Sequence, residues 1–299
     1  MSVLALLLAL ALERGLTHLF HLREPRWLDG YFDRVARVVA RSPRGLAAIA
    51  AVLALALPVL PVAAADRALG AHLFGLPQLA LAVLVLLMSF GPRDLRDEVD
   101  DYVEALGRSD RAAADRLATE LLEGDAAGRG SSLREAVEEA IFVQANNRIF
   151  GVIFWFMLLG PAGAWLFRVS DLMRRRAAFE AARRGGVPRP TGGALALVHG
   201  LLAWIPARLA ALSYALAGGF EDAIGNWRIA VDRASRRLLD RTEDLLARVG
   251  KGSLQPSLAG VTPEALDAAT AHGAWRIVAR SAWIWLAMIA LLVLAGEAA

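Results

Sequence analysis

The sequence predicts an all-α polytopic membrane protein, with about four transmembrane helices, two proline-broken apolar segments and amphipathic helices in the cytoplasm. Three observations carry this. The 299 residues are 57% hydrophobic, with a mean hydropathy of +0.45, against roughly 45–50% apolar residues in soluble domains. The excess is gathered into uncharged runs at 46–65, 73–91 and 281–296, and a bilayer core of about 30 Å takes roughly 20 residues of helix. Between the runs lie segments of helical period with one charged face.

The first segment is interrupted. Residues 1–12 carry no charge, Glu13-Arg14 follows, and 15–20 turn apolar again. Without a basic n-region or a small-residue cleavage site, this predicts a helix that stays in place rather than a removed signal peptide. Twelve residues rise about 18 Å, which puts Glu13 near the inner third of the bilayer. Both side chains can snorkel to the headgroups. Yet an ionisable residue inside a membrane marks a functional site by default, and adjacent helical positions do not face each other. Each then needs a partner on another segment, and Glu13 is expected to meet Arg208 or Asn147.

Charge placement sets the topology. Residues 21–45 hold six arginines, whereas 66–72 hold only Arg67. The positive-inside rule then puts the first loop in the cytoplasm and both termini outside. Only Lys251 is a lysine among 33 basic residues, a usage typical of high-GC bacterial genomes. The net charge of +3 and pI near 9.9 fit arginines anchored against anionic lipid, the bilayer being the partner rather than nucleic acid. No cysteine is present, which excludes disulfides and thiolate chemistry.

The expected organisation is a membrane region at 1–91, a cytoplasmic helical region at 92–148, broken or re-entrant apolar segments at 149–220, a second cytoplasmic region at 221–280 and a last membrane helix at 281–299. In "LRDEVDDYVEALG", Leu95, Val99, Tyr102, Val103 and Leu106 share a helical face. Ser109 or Asp110 caps the next helix. Ser132 and Glu135 have capping-box spacing for a helix over 133–146. Residues 149–167 carry Gly160-Pro161 at their centre, and 194–220 carry Pro206; proline removes a helix hydrogen bond and kinks the chain. A single crossing by 149–167 leaves the six arginines of 172–190 outside, so a re-entrant or steeply kinked pair competes with two ordinary crossings. "LLDRTEDLLARVG" predicts a helix ending at Gly250. Thr262-Pro263-Glu264 predicts a helix start that runs on into the final span.

Few residues suggest chemistry. Asp97, Asp100 and Asp101 could offer carboxylates to Mg²⁺, but the arginines nearby make a solvated, salt-bridged face the ordinary reading. The glycine-rich 124–132 lacks the lysine and spacing of a phosphate loop. The five histidines are scattered, and no cofactor is expected. Asn146-Asn147-Arg148 precedes an apolar segment. Arg208 sits in one, with uncharged residues for eighteen positions before it and twelve after. A cation so placed needs an anion.

"LER" at 12–14, the "FW…GPAGAWLFR" segment and "WIPARLAALSYALAGGFEDAIGNW" resemble the AmpE family of bacterial inner-membrane proteins, related in turn to the cobalamin-biosynthesis proteins CobD/CbiB. The likeness is strongest from Glu139 to Trp227. CobD/CbiB enzymes, which join aminopropanol or its phosphate to a corrinoid acid, carry E-S-x-x-E-N-x-x-D-G and then a proline two residues before F-W. Here Glu139 matches the first acid. Val143 and Gln144 replace Glu-Asn, Asn147 the Asp, Arg148 the Gly and Val152 the Pro. Of the later N-T-x-D-S, only Ser170-Asp171 is found. The resemblance implies a regulatory modulator linked to β-lactamase induction, beside a cytosolic AmpD-type amidase or a muropeptide-pathway ligand, rather than a synthase. Its candidate polar site comprises Glu13, Arg14, Glu139, Asn146, Asn147 and Arg208.

Overall fold

A computed structural model describes residues 5–9, 26–70, 75–90, 94–122, 132–183, 193–232, 238–263 and 265–298. Among them every regular element is helical. The helices are α1 (Asp29–Arg41), α2 (Arg44–Leu69), α3 (Leu76–Ser89), α4 (Leu95–Gly107), α5 (Arg111–Leu121), α6 (Leu133–Ala145), α7 (Gly151–Arg183), α8 (Gly193–Ala217), α9 (Phe220–Asp232), α10 (Leu238–Leu258) and α11 (Leu266–Ala298). A π turn, Asn146–Phe150, joins α6 to α7. Four stretches are long and apolar enough to cross a membrane: Gly45–Leu69, Leu133–Glu180, Gly193–Ala217 and Leu266–Ala295; Leu76–Ser89 is shorter. The chain is an all-α, multi-pass membrane protein. Its contacts divide into two units, Met1–Pro92 with Asn147–Trp204, and Arg93–Asn146 with Ile205–Ala299.

In the first unit α1, α2 and α3 all pack on α7. α1 buries Phe32, Val35, Ala36 and Val39, the i, i+3, i+4, i+7 stripe of an amphipathic helix. They join Ala51 and Leu55 of α2 and Trp165, Val169 and Met173 of α7 in one core. The opposite face of α2 exposes Leu46, Ile49, Leu53, Leu57 and Leu60, an apolar surface that fits lipid. Polar ties fix α1 and α2 to their neighbours. Arg176 of α7 donates to Asp33 of α1 from Nε (2.6 Å) and Nη2 (3.1 Å). Pro58 has no N–H, so the Ala54 carbonyl loses its helical donor; the Tyr31 hydroxyl donates to it instead. Trp165 Nε1 donates to the Pro58 carbonyl (3.1 Å).

The two proline-bearing segments behave differently. α7 is broken at Gly160, with φ 66° and ψ −154°, backbone open essentially to glycine alone. Pro161 disfavours helical geometry at the residue before it, and glycine accepts the alternative. The bend is acute: a Cβ on Gly163 would lie 2.1 Å from the Trp155 carbonyl oxygen, although eight residues of straight helix rise about 12 Å. Residues 151–159 and 161–183 therefore fold back on each other as a helical hairpin. α8 runs as one helix through Pro206. The carbonyl stranded by Pro206 is that of Leu202, and Trp155 Nε1 donates to it (3.0 Å).

In the second unit α6 packs against α10 and α11, and α4 against α5 and α11. α4 has the expected bounds and buries Leu95, Val99, Tyr102 and Ala105, while Val103 and Leu106 are half-buried. Of the two expected caps for α5, Asp110 is the one used: its Oδ1 accepts from the Ala113 amide (3.0 Å). Ser132 caps α6 by accepting from the Glu135 amide (3.3 Å). Replacing Asp110 by alanine is expected to lower stability by about 1 kcal/mol, read by thermal unfolding of the purified protein in detergent; an unchanged midpoint would contradict the cap.

Two C-terminal expectations are corrected. α10 does not end at Gly250 but continues to Leu258. Gly250 serves packing, since a Cβ there would lie 2.3 Å from the Phe142 ring. That ring packs against Tyr214 in a tilted arrangement with centroids 5.0 Å apart, and the Tyr214 hydroxyl donates to the Phe142 carbonyl (3.0 Å). The last helix starts at Leu266 rather than beside Thr262, because Ala265 and Leu266 first turn back onto the Thr262 and Pro263 carbonyls. It then runs unbroken to Ala298, continuing into the final apolar span as expected.

Candidate functional site

The first unit buries a charged cluster on α7. Arg168, Asp171, Arg174 and Arg175 recur at i, i+3, i+6 and i+7, a spacing that shares one helical face. Asp171 is fully buried and Arg168 is 3% exposed. The Asp171 carboxylate takes Arg175 Nη2 at 2.7 Å, Arg174 Nη2 at 2.9 Å and Arg168 Nη1 at 3.5 Å. Arg148, buried in the π turn, adds a fourth positive charge acting on the same carboxylate. π turns are frequent at functional positions, and this one contains Asn146, Asn147 and Arg148.

α8 contributes His199, also fully buried. Its Nε2 lies 3.8 Å from Asp171 Oδ1 and its Nδ1 2.9 Å from Ser170 Oγ. Serine, histidine and aspartate thus stand together. The Ser170 hydroxyl also reaches the Phe167 carbonyl (2.7 Å), and the direction of the Ser170–His199 bond follows the histidine tautomer. The cluster is built to join α7 to α8 and to share one anion among several guanidinium groups.

The candidates from the sequence are placed as follows. Asn147 is buried in the first unit beside Arg148. Glu139, Asn146 and Arg208 belong to the second unit. Glu139 and Asn146 are seven residues apart, two turns, and share a helical face. Arg208 is half-buried on α8. Glu13 and Arg14 lie outside the described residues. Asp97, Asp100 and Asp101 lie on α4, where Asp100 pairs with Arg96 at 3.3 Å. Among the described residues no three or more acids and histidines gather as a metal site. Sequence reasoning missed Arg168, Arg174, Arg175 and His199. The i, i+3, i+4 spacing about Asp171 was the available signal; the arginines were read only as topology markers.

A model of the family described as "Regulatory signalling modulator protein AmpE" matches residues 1–296. The chain belongs to the AmpE family. It is also 28% identical to "Protein AmpE" of Shigella flexneri, over 76% of this chain and 78% of that protein. AmpE-family membership does not separate it from the cobalamin branch. It is 28% identical to "Cobalamin biosynthesis protein CobD" of Chromobacterium violaceum, over 99% of this chain and 98% of that protein. A protein of the same name from Stutzerimonas stutzeri is 30% identical over 50% of this chain and 48% of its own length. No solved structure matches.

Proposed function

We propose that this AmpE-family protein is an inner-membrane regulator that reports cell-wall stress and tunes β-lactamase induction. Asp171 carries the reading. It is the acid kept from the second motif of the CobD/CbiB enzymes, and it is fully buried among three arginine ion pairs. Both oxygens of that carboxylate are engaged by guanidinium groups, Oδ1 by Arg174 and Oδ2 by Arg175 and Arg168. The first motif is altered in the same direction, with Arg148 at the enzymes' glycine and Asn147 at their aspartate. A cytosolic AmpD-type amidase or a muropeptide-pathway ligand is the partner this reading implies, met by cytoplasmic portions at 92–148 and 221–280.

Deleting the gene in a host with an inducible β-lactamase is expected to change the induction ratio on β-lactam challenge, and the wild-type gene on a plasmid is expected to restore it. An unchanged ratio would count against the regulatory role. A second reading, an adenosylcobinamide-phosphate synthase of the CobD type, is favoured by the near-complete coverage of the Chromobacterium violaceum protein.

A further inference from the structure

The second unit contains a cavity of about 310 Å³ that no part of the regulatory reading uses. It is open to one side, and three elements line it: the α8–α9 turn at Gly218-Gly219, α10 at Ser253 and Ser257, and α11 at Arg276 and Arg280. Glycines bring these walls together. A Cβ on Gly218 would lie 2.3 Å from the Ser253 carbonyl oxygen, and one on Gly219 would lie 2.5 Å from the Pro256 ring. On the α11 side, a Cβ on Gly273 would lie 2.6 Å from Leu254. The turn and α11 both close onto α10 at distances only glycine permits.

The lining is one-sided in charge. Arg276 and Arg280 are one helical turn apart, so their guanidinium groups share a face. Arg280 Nη1 reaches the Ala217 carbonyl (3.4 Å) at the end of α8, which anchors it at the rim. No acidic side chain lines the cavity among the described residues. The Ser253 and Ser257 hydroxyls donate to the Gly250 and Leu254 carbonyls, which leaves the arginines as the side-chain donors. Two guanidinium forks on one wall suit a phosphate group better than a carboxylate-free apolar ligand.

Position adds a second argument. Arg280 is followed by sixteen uncharged residues, 281–296. Trp283, Leu291, Leu292 and Leu294 on that stretch are all more than 60% exposed, a surface that fits lipid chains, with a tryptophan at its edge where interfacial aromatics gather. The arginines therefore sit at the level of the headgroup phosphates. The geometry points to a phosphate-binding site at Arg276 and Arg280, filled by a phospholipid headgroup or by a soluble phosphate ester. At about 30 Å³ per water, the volume admits a phosphate and part of its glycerol.

The test uses the full chain purified in a phosphate-free detergent. Phosphatidylglycerol and glycerol 3-phosphate are titrated separately, with binding read by native mass spectrometry and by the shift in unfolding temperature. We expect phosphatidylglycerol to bind, and the Arg276→Gln, Arg280→Gln double variant to bind it about tenfold more weakly. Arg228→Gln, an exposed charge removed outside the cavity, should leave binding unchanged. Arginine-dependent binding of glycerol 3-phosphate at matching concentration also supports the site and makes its occupant a soluble ester. Equal binding of both probes by wild type and double variant overturns the site. If the double variant does not fold, Ser257→Phe keeps both arginines and fills the space, and full binding by that variant overturns it equally.

Discussion

Asp171→Asn is expected to destabilise the protein by about 3–5 kcal/mol, the usual cost of removing one member of a buried ion network. The side chain keeps its shape, so packing is preserved and the loss reports charge. Three guanidinium groups converge on this carboxylate within 3.5 Å. Taking the negative charge away leaves Arg168, Arg174 and Arg175 repelling one another around a buried position. At roughly 2–4 °C per kcal/mol for a chain of this size, the unfolding midpoint in detergent should fall on the order of 10 °C. Arg176→Gln, which breaks a half-exposed pair with Asp33, should cost much less, because partly solvated pairs contribute about 1 kcal/mol or less. Equal losses for the two variants would show that the burial of Asp171 does not matter.

Gly163→Ala is expected to be at least as damaging. The added methyl would lie 2.1 Å from the Trp155 carbonyl oxygen and 2.7 Å from Leu159 Cβ. The first of these is backbone, which cannot rotate away, so the hairpin of α7 must open. Trp155 would then shift from the Leu202 carbonyl that it satisfies, and Trp165 from Pro58. Overpacking of this kind costs about 1–3 kcal/mol where side chains can adjust, and more is expected here. Gly225→Ala is the control: nothing lies within 4 Å of its Cβ position, and alanine in a helix interior is favoured by roughly 0.5–1 kcal/mol over glycine. The two variants are compared by the fraction eluting as folded protein and by unfolding midpoint. A folded Gly163→Ala protein with a wild-type midpoint would refute the hairpin.

Both effects reflect where the sequence speaks clearly and where it does not. Local signals were readable. The apolar face of α4, the Ser132 cap and the run of α11 into the last span each follow from neighbours within a few residues. The roles of Gly250 and Gly163 were hidden, because a glycine that ends a helix and a glycine that admits a Phe142 ring or a Trp155 carbonyl look alike in sequence. The outcome at Pro206 depended on Trp155, some fifty positions away in the chain, to satisfy the carbonyl that proline strands. Asp171 was noticed only as the remnant of a motif. Its spacing to Arg168, Arg174 and Arg175 marked one helical face, yet the basic run had a sufficient explanation in membrane topology. His199 reaches the cluster by tertiary packing, which no local pattern encodes.

The same cluster bears on the choice between the regulatory and the synthase readings. With Asp171 as a shared counter-ion rather than a reacting group, the regulatory reading expects no synthase activity despite the likeness to CobD along nearly the whole chain. The direct measurement is growth of a strain lacking its adenosylcobinamide-phosphate synthase, under cobalamin-dependent conditions, with this chain expressed and detected in the membrane fraction. We expect growth only when late corrinoid intermediates are supplied. Growth on early precursors alone, sustained by the wild-type chain and lost in an empty-vector control, would contradict the account.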